Sequence, residues 1–170
     1  MMIHVCSLAK VDETVTKTGA ERLLSLLAAG TEVVRPASIV PENHLHLVMH
    51  DIAVAQEGMT MPGEEHVRNL LDFARQWDRV KPMVVHCYAG ISRSTASAYI
   101  IAAALAPKRD EVELAQTLRA LSPSATPTPR LIAVADTLLD RNGRMIEAIQ
   151  AIGRGADAFE GTPFALRIDG

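Results

Sequence analysis

Apolar and polar residues alternate or recur along this chain with periods that predict most of its elements. MIHVCSL (2–8) is a short apolar run that reads as a first strand. Asp12 through Thr18 reads as a short helix, capped by Asp12 and ended by Gly19. ERLLSLL (21–27) is too short for periodicity to decide between helix and buried strand. HLHLVMH (44–50) has the two-residue period of a strand, and DIAVAQEGMTMPG (51–63) reads as a loop carrying Gly58, Pro62 and Gly63. In EEHVRNLLDFARQWD, the apolar residues Val67, Leu70, Leu71, Phe73, Ala74 and Trp77 recur as on one face of an amphipathic helix. Lys81-Pro82 breaks the pattern, and MVVH (83–86) reads as a short central strand.

Beyond that strand the pattern turns helical. Ser92 to Ala106 reads as a buried helix stopped by Pro107, and DEVELAQTLRALS (110–122) as an amphipathic helix opened by Asp110. PSATPTP (123–129) is a breaker cluster, and Thr128-Pro129-Arg130 at its end reads as the cap of the next helix. RLIAVADTLLDRNGRMIEAIQAIG reads as one long helix, or two joined at Asn142-Gly143. The tail GRGADAFEGTPFALRIDG (153–170) has four glycines and a proline and reads as non-helical, although its FALRI alternates and is expected to dock on the body. Strands concentrate in the first half and helices in the second. The expected fold is α/β: a small, mostly parallel central sheet flanked by helices, with a site at the carboxyl end of a central strand. The expected organisation is one domain over 1–155 and an extended tail over 156–170.

Composition narrows the function classes. The 170 residues are 48% hydrophobic, enough for one sizeable core. With 17 basic and 20 acidic residues the net charge is −3, and no basic cluster stands out. Nucleic acid and anionic membranes are therefore not expected partners. The N-terminus lacks the basic leader and sustained apolar core of a signal peptide. The longest apolar run, ASAYIIAAALA, falls well short of the roughly twenty residues needed to cross a bilayer. These readings favour a soluble cytoplasmic protein. Its two cysteines, Cys6 and Cys87, do not make a disulfide framework. His44, His46 and His50 share one strand face, but four converging ligands are not evident, and no metal or other cofactor is expected. Oligomeric state is not legible.

The chemistry gathers in VVHCYAGISRS (84–94). A sulfur at the exit of a buried strand, just before a helix, meets unpaired backbone N–H groups and the positive end of the helix dipole, which together favour a thiolate. Five residues between Cys87 and Arg93 let the chain curl into a cup with its amides inward, and Gly90 permits backbone angles that other residues resist. Arg93 closes the cup with a planar fork of donors matched to two phosphate oxygens. The arrangement suits attack on a phosphate monoester through a covalent phosphocysteine. A bland alternative makes Cys87 a core residue and Arg93 a surface charge. Those residue types at those offsets, however, should arise by chance in well under roughly one chain of this length in a thousand.

HCYAGISRS resembles the His-Cys-x5-Arg-Ser/Thr signature loop of the cysteine-dependent protein tyrosine phosphatases. The short chain and its element order resemble the compact, dual-specificity-like branch, especially small bacterial members. The resemblance spans roughly residues 3 to 140 in layout, with the loop its one sharply specific part. It implies a phosphatase-type strand–loop–helix site with Cys87 as nucleophile and Arg93 as the phosphate-binding, transition-state-stabilising group. Tyr88, Ala89, Gly90, Ile91 and Ser92 would supply backbone donors to the substrate. Ser94 matches the hydroxyl that helps the sulfur leave, and His86 the residue that orders the loop and helps keep the thiol ionised.

The family also needs a general acid some thirty or more residues before the cysteine. Asp51 fits, because it follows the HLHLVMH strand and opens the next loop. Glu57 on the same loop is the second choice, and Asp72 and Asp78 are rivals on or beside the amphipathic helix. The loop carries no lysine of the kind that meets additional phosphates in inositol phosphate phosphatases of this family, which favours a singly phosphorylated substrate. The expected partner is a phosphorylated protein or a small phosphate monoester, with phosphotyrosine alone or phosphoserine/threonine as well left open. Alternatives are a phosphate-binding pseudophosphatase, an inositol phosphate phosphatase, and a rhodanese-like or arsenate-handling thiol enzyme. The last would want further positioned cysteines, and only Cys6 remains.

Overall fold

The computed structural model describes residues 1–169. Strand β1 (Met2–Cys6) leads through a 3-10 turn into helix α1 (Val11–Thr18), which Gly19 ends in the left-handed conformation at φ 71°. The ambiguous ERLLSLL segment is strand β2 (Arg22–Leu27), with all six residues buried. Its burial on both faces explains why its pattern shows no alternation. Strand β3 (His44–Val48) follows, then a long loop, helix α2 (Glu64–Arg75), strand β4 (Met83–His86) and helix α3 (Arg93–Leu105). Helix α4 (Glu111–Leu121) starts where Asp110 Oδ1 accepts the Glu113 amide at 2.9 Å.

The last helical stretch resolves into two helices, α5 (Pro129–Leu138) and α6 (Arg144–Ile152). The break has a clear cause. Asp140 and Asn142 take positive φ, and the Asp136 carboxylate accepts from the Gly143 and Met145 amides, capping α6 with a side chain of α5. The tail residues Phe164–Arg167 form strand β5, antiparallel to β1.

The sheet order is β3-β2-β4-β1-β5. The first four strands run parallel, so β4 is enclosed between β2 and β1 and all four of its residues are buried. Parallel strands also place their carboxyl ends at one edge. The residues that follow β1, β3 and β4 therefore meet there, and this edge carries the site. Side-chain alternation sorts the core into two layers. Ile3, Val5, Leu24, Leu26, Met83 and Val85 face the larger layer, which contains residues of α2 through α6. Cys6, Leu23 and Val84 face a smaller one beneath α1, with Val11 and Val15. No helix among the described residues is long and apolar enough to cross a membrane.

Candidate active site

The loop between β4 and α3 is held from outside by its carbonyls. Tyr88 O accepts the Leu8 amide at 3.1 Å, and Ala89 O accepts the Gly161 amide at 2.8 Å. Ile91 O accepts the Thr126 amide at 2.9 Å, and Ser92 O accepts those of Ala96 and Thr128 at 3.0 and 3.3 Å. The Thr95 hydroxyl donates to Ile91 O and Ser92 O from within the helix. Among the described residues, no amide from 88 to 92 donates to a protein acceptor. With the carbonyls turned outward, these donors remain for a ligand, and an anion is what such a ring of amides holds.

Gly90 makes the curl possible. Its φ is 74°, and a Cβ there would lie 2.8 Å from the Cys6 carbonyl carbon and 2.9 Å from Ser7 N. Both the left-handed angle and the backbone contact with the end of β1 demand glycine. Gly161 completes the outer wall, where a Cβ would come 2.6 Å from Gly90 O.

Inside the curl, Cys87 is buried and its Sγ lies 3.1 Å from the Ser94 hydroxyl oxygen. Arg93 is only partly buried, and its Nη1 donates to Met49 O at 2.9 Å. Its Nε is buried and has no partner among the described residues, leaving one donor of the guanidinium fork free.

His86, fully buried, sits in a chain of hydrogen bonds beneath the loop. Its Nδ1 lies 3.0 Å from Cys87 O, and its Nε2 lies 2.6 Å from Ser25 Oγ on β2, which is in turn 2.9 Å from His44 Nε2 on β3. A carbonyl only accepts, so His86 Nδ1 carries the proton and Nε2 accepts from the Ser25 hydroxyl. Ser25 Oγ then accepts from His44 Nε2–H. Burial, with smaller opposing and assisting contributions from Cys87 O, His44, His46 and Arg93, pushes the His86 pKa down to about 4. The imidazole is neutral, so its support of the loop runs through the hydrogen bond to Cys87 O rather than through a positive charge.

Asp51 follows the end of β3 and is exposed, with Oδ1 accepting from the Thr128 hydroxyl at 3.2 Å. Thr128 thus bridges two parts of the site, since its amide binds the loop at Ser92 O. The Arg93–Met49 bond joins the same strand end to the loop a second time. The rivals are placed elsewhere. Asp72 is exposed on α2, and Asp78 accepts the Val80 amide in the turn that enters β4, at the opposite edge of the sheet. Glu57 is exposed on the 51–63 loop. That loop is pinned at its base by His50 N to Thr60 O at 2.7 Å and Thr60 N to His50 Nδ1 at 2.9 Å, and Arg130 Nε donates to Pro62 O near its far end.

Cys6 and Cys87 are both free thiols. They belong to core layers on opposite faces of the sheet. Burial pushes the Cys6 thiol up to about 11, so it is protonated and unreactive at neutral pH. His44 and His46 stack with centroids 6.3 Å apart, whereas His50 has turned to the Thr60 amide. Among the described residues, no three His, Cys, Asp or Glu side chains converge as metal ligands.

Residues 55–124 match the family model of protein-tyrosine phosphatases, a span that contains the whole loop and begins after Asp51. Over that span the chain is similar to the protein-tyrosine phosphatases. Its fold is like that of compact, dual-specificity-type phosphatases of known structure. Similar solved structures carry the same fold. The PTP-2 phosphatase of Cydia pomonella is 15% identical, with 79% of this chain and 84% of that one covered at a TM-score of 0.61. DUSP15 is 15% identical over 88% of this chain and 89% of its own, at 0.60. PTPMT1 in complex with PI(5)P is 13% identical over 88% and 91%, at 0.58. No curated protein matches in sequence.

Several residues that build this site escaped sequence reasoning: Ser25, Thr128 as partner of Asp51, and Gly161. Ser25 alone carried a signal, being the one polar residue inside the apolar run LLSLL. The others act across long separations in sequence, 77 residues for Thr128 and Asp51.

Proposed function

We propose that this protein is a phosphatase that hydrolyses phosphotyrosine in proteins, through a phosphocysteine and without a cofactor. The observation that carries the reading is the loop with its carbonyls bound outward, its amides unused, and a buried Arg93 Nε unpartnered beside Cys87. In this reading the equatorial phosphate oxygens take the amides of 88–92 and the Arg93 fork. The Cys87 thiolate attacks phosphorus in line with the leaving oxygen. Asp51 gives its proton to that oxygen as the P–O bond breaks, which prevents expulsion of a bare phenolate.

The S–P bond formed is then cleaved by water. Asp51, now a carboxylate, takes the water's proton, and inorganic phosphate departs. Ser94 Oγ, 3.1 Å from Sγ, donates to the sulfur as it leaves. His86 holds the loop through Cys87 O. Residues 88–92 carry no charge, which suits a phosphate with no second phosphate beside it.

The test compares kcat/KM on phosphotyrosine peptides, phosphoserine peptides and inositol phosphates, in the presence of a chelator. Phosphotyrosine peptides are expected to lead, vanadate to inhibit, and Cys87→Ser to abolish turnover. Asp51→Ala is expected to lower kcat by orders of magnitude for poor leaving groups and much less for activated ones. Faster turnover of inositol phosphates overturns the substrate assignment. Equal losses for both leaving groups overturn that of Asp51.

A further inference from the structure

The chain has six aromatic residues of the Phe, Trp and Tyr types. Phe73, Trp77 and Tyr99 are buried, and Phe164 is half-buried against the core. Only Tyr88 and Phe159 stand in solvent, at 65% and 104% relative exposure. They are far apart in sequence, yet both line one cleft of about 220 Å³ with Leu8, Ala9, Ala89 and Glu160. This cleft shares Tyr88 and Ala89 with the phosphate loop.

Its walls are fixed from several sides. The Gly161 amide donates to Ala89 O at 2.8 Å, the Leu8 amide donates to Tyr88 O at 3.1 Å, and the Ser7 hydroxyl donates to Glu160 Oε2 at 3.0 Å. Two exposed rings set beside a catalytic loop by named hydrogen bonds are a built surface rather than scattered apolar residues. Nothing in the fold uses the Phe159 ring.

We infer that Tyr88 and Phe159 form a second substrate pocket, which takes an apolar side chain close to the phosphorylated residue of a peptide. The inference rests on the phosphatase reading of the adjoining loop. The lining commits the occupant. Leu8, Ala9, Ala89 and the two rings offer apolar surface, and the one charge, Glu160, repels acidic side chains and additional phosphates. An extended peptide advances about 3.3 Å per residue. The side chain that reaches the cleft therefore belongs to a residue within about three positions of the phosphorylated one. Placing it there removes its own surface and the exposed faces of both rings from water, as interface anchors do.

The test uses an aryl phosphate and two sets of phosphotyrosine peptides, with Leu or Glu at the positions flanking phosphotyrosine. The wild-type chain is expected to prefer the Leu set by about tenfold or more in kcat/KM, mostly through KM. Phe159→Ala is expected to bring the two sets within about twofold and leave aryl phosphate turnover unchanged, while Phe159→Leu retains most of the preference. Equal wild-type rates on both sets, or a preference that survives Phe159→Ala, overturn the pocket while the hydrolytic reading stands. Failure to hydrolyse the aryl phosphate overturns the hydrolytic reading and the pocket together.

Discussion

His86 makes acid sensitivity a quantitative test of the structure. Its imidazole is fully buried beneath the loop and its pKa is held at about 4 by burial first, against an ordinary value of 6.5. The folded chain therefore binds fewer protons than the unfolded chain once pH drops below 6.5. Its stability must fall with pH through that window and level off for this group below about 4. A gap of about 2.5 at 1.36 kcal/mol per pH step corresponds to roughly 3 kcal/mol in full, of which about 2 kcal/mol is gone at pH 5. For a chain of this size that amounts to roughly 4–8 °C in Tm. His44 and His4 are also lowered, chiefly by burial, and act with the same sign, so the informative quantity is a difference. Urea unfolding of the wild type and of His86→Asn at pH 7 and pH 5 supplies it. The wild type is expected to lose about 2 kcal/mol more than the variant over that interval. Equal losses refute the buried neutral ring. An NMR titration of the His86 ring in the wild type tests the same point without a variant, and an ordinary midpoint near 6.5 refutes it.

Other predictions follow from contacts around the loop. Gly90→Ala imposes a left-handed angle on alanine and drives its Cβ into the Cys6–Ser7 backbone, and unfolding titrations should show a loss of about 2–4 kcal/mol. Thr128→Val removes the hydroxyl that holds Asp51 but keeps the amide bond to Ser92 O, so kcat on poor leaving groups should fall about tenfold with stability nearly unchanged. Gly161→Ala pushes a methyl to 2.6 Å from Gly90 O and should slow aryl phosphate hydrolysis, whereas the same change at Gly63, where a Cβ would meet nothing closer than 4.0 Å, should not.

How much of this was legible beforehand depends on the range of each interaction. β1, β3, β4 and helices α1 to α4 follow from local period and local punctuation, with Asp110 as a cap and Gly19 as a stop. Asp12, however, does not cap α1: the helix starts at Val11 after Lys10, and Asp12 lies in its first turn. The RLLSLL run became a strand only because β3 and β4 flank it, a fact no window of its own residues contains. The split at Asn142-Gly143 was open in the sequence and was decided by the Asp136 carboxylate reaching the α6 amides. At the site, Cys87, Arg93 and Ser94 are readable because five residues of loop bring them together. The shell behind them, Ser25 with His44, Thr128 with Asp51, and Gly161 with Ala89, depends on strand order and the return of the tail. Neither is encoded by spacing.

The return of the tail carries a consequence for how the protein is made. The ribosome delivers Cys87, Arg93 and the whole HCYAGISRS motif long before it delivers Gly161 and β5. A nascent chain can therefore hold every recognisable motif of a phosphatase while Ala89 O still lacks its partner and β1 still has a bare edge. The outer wall of the loop is completed by tail residues synthesised well after the motif, and a premature stop after α6 would leave that loop open on one side and β1 without its antiparallel neighbour.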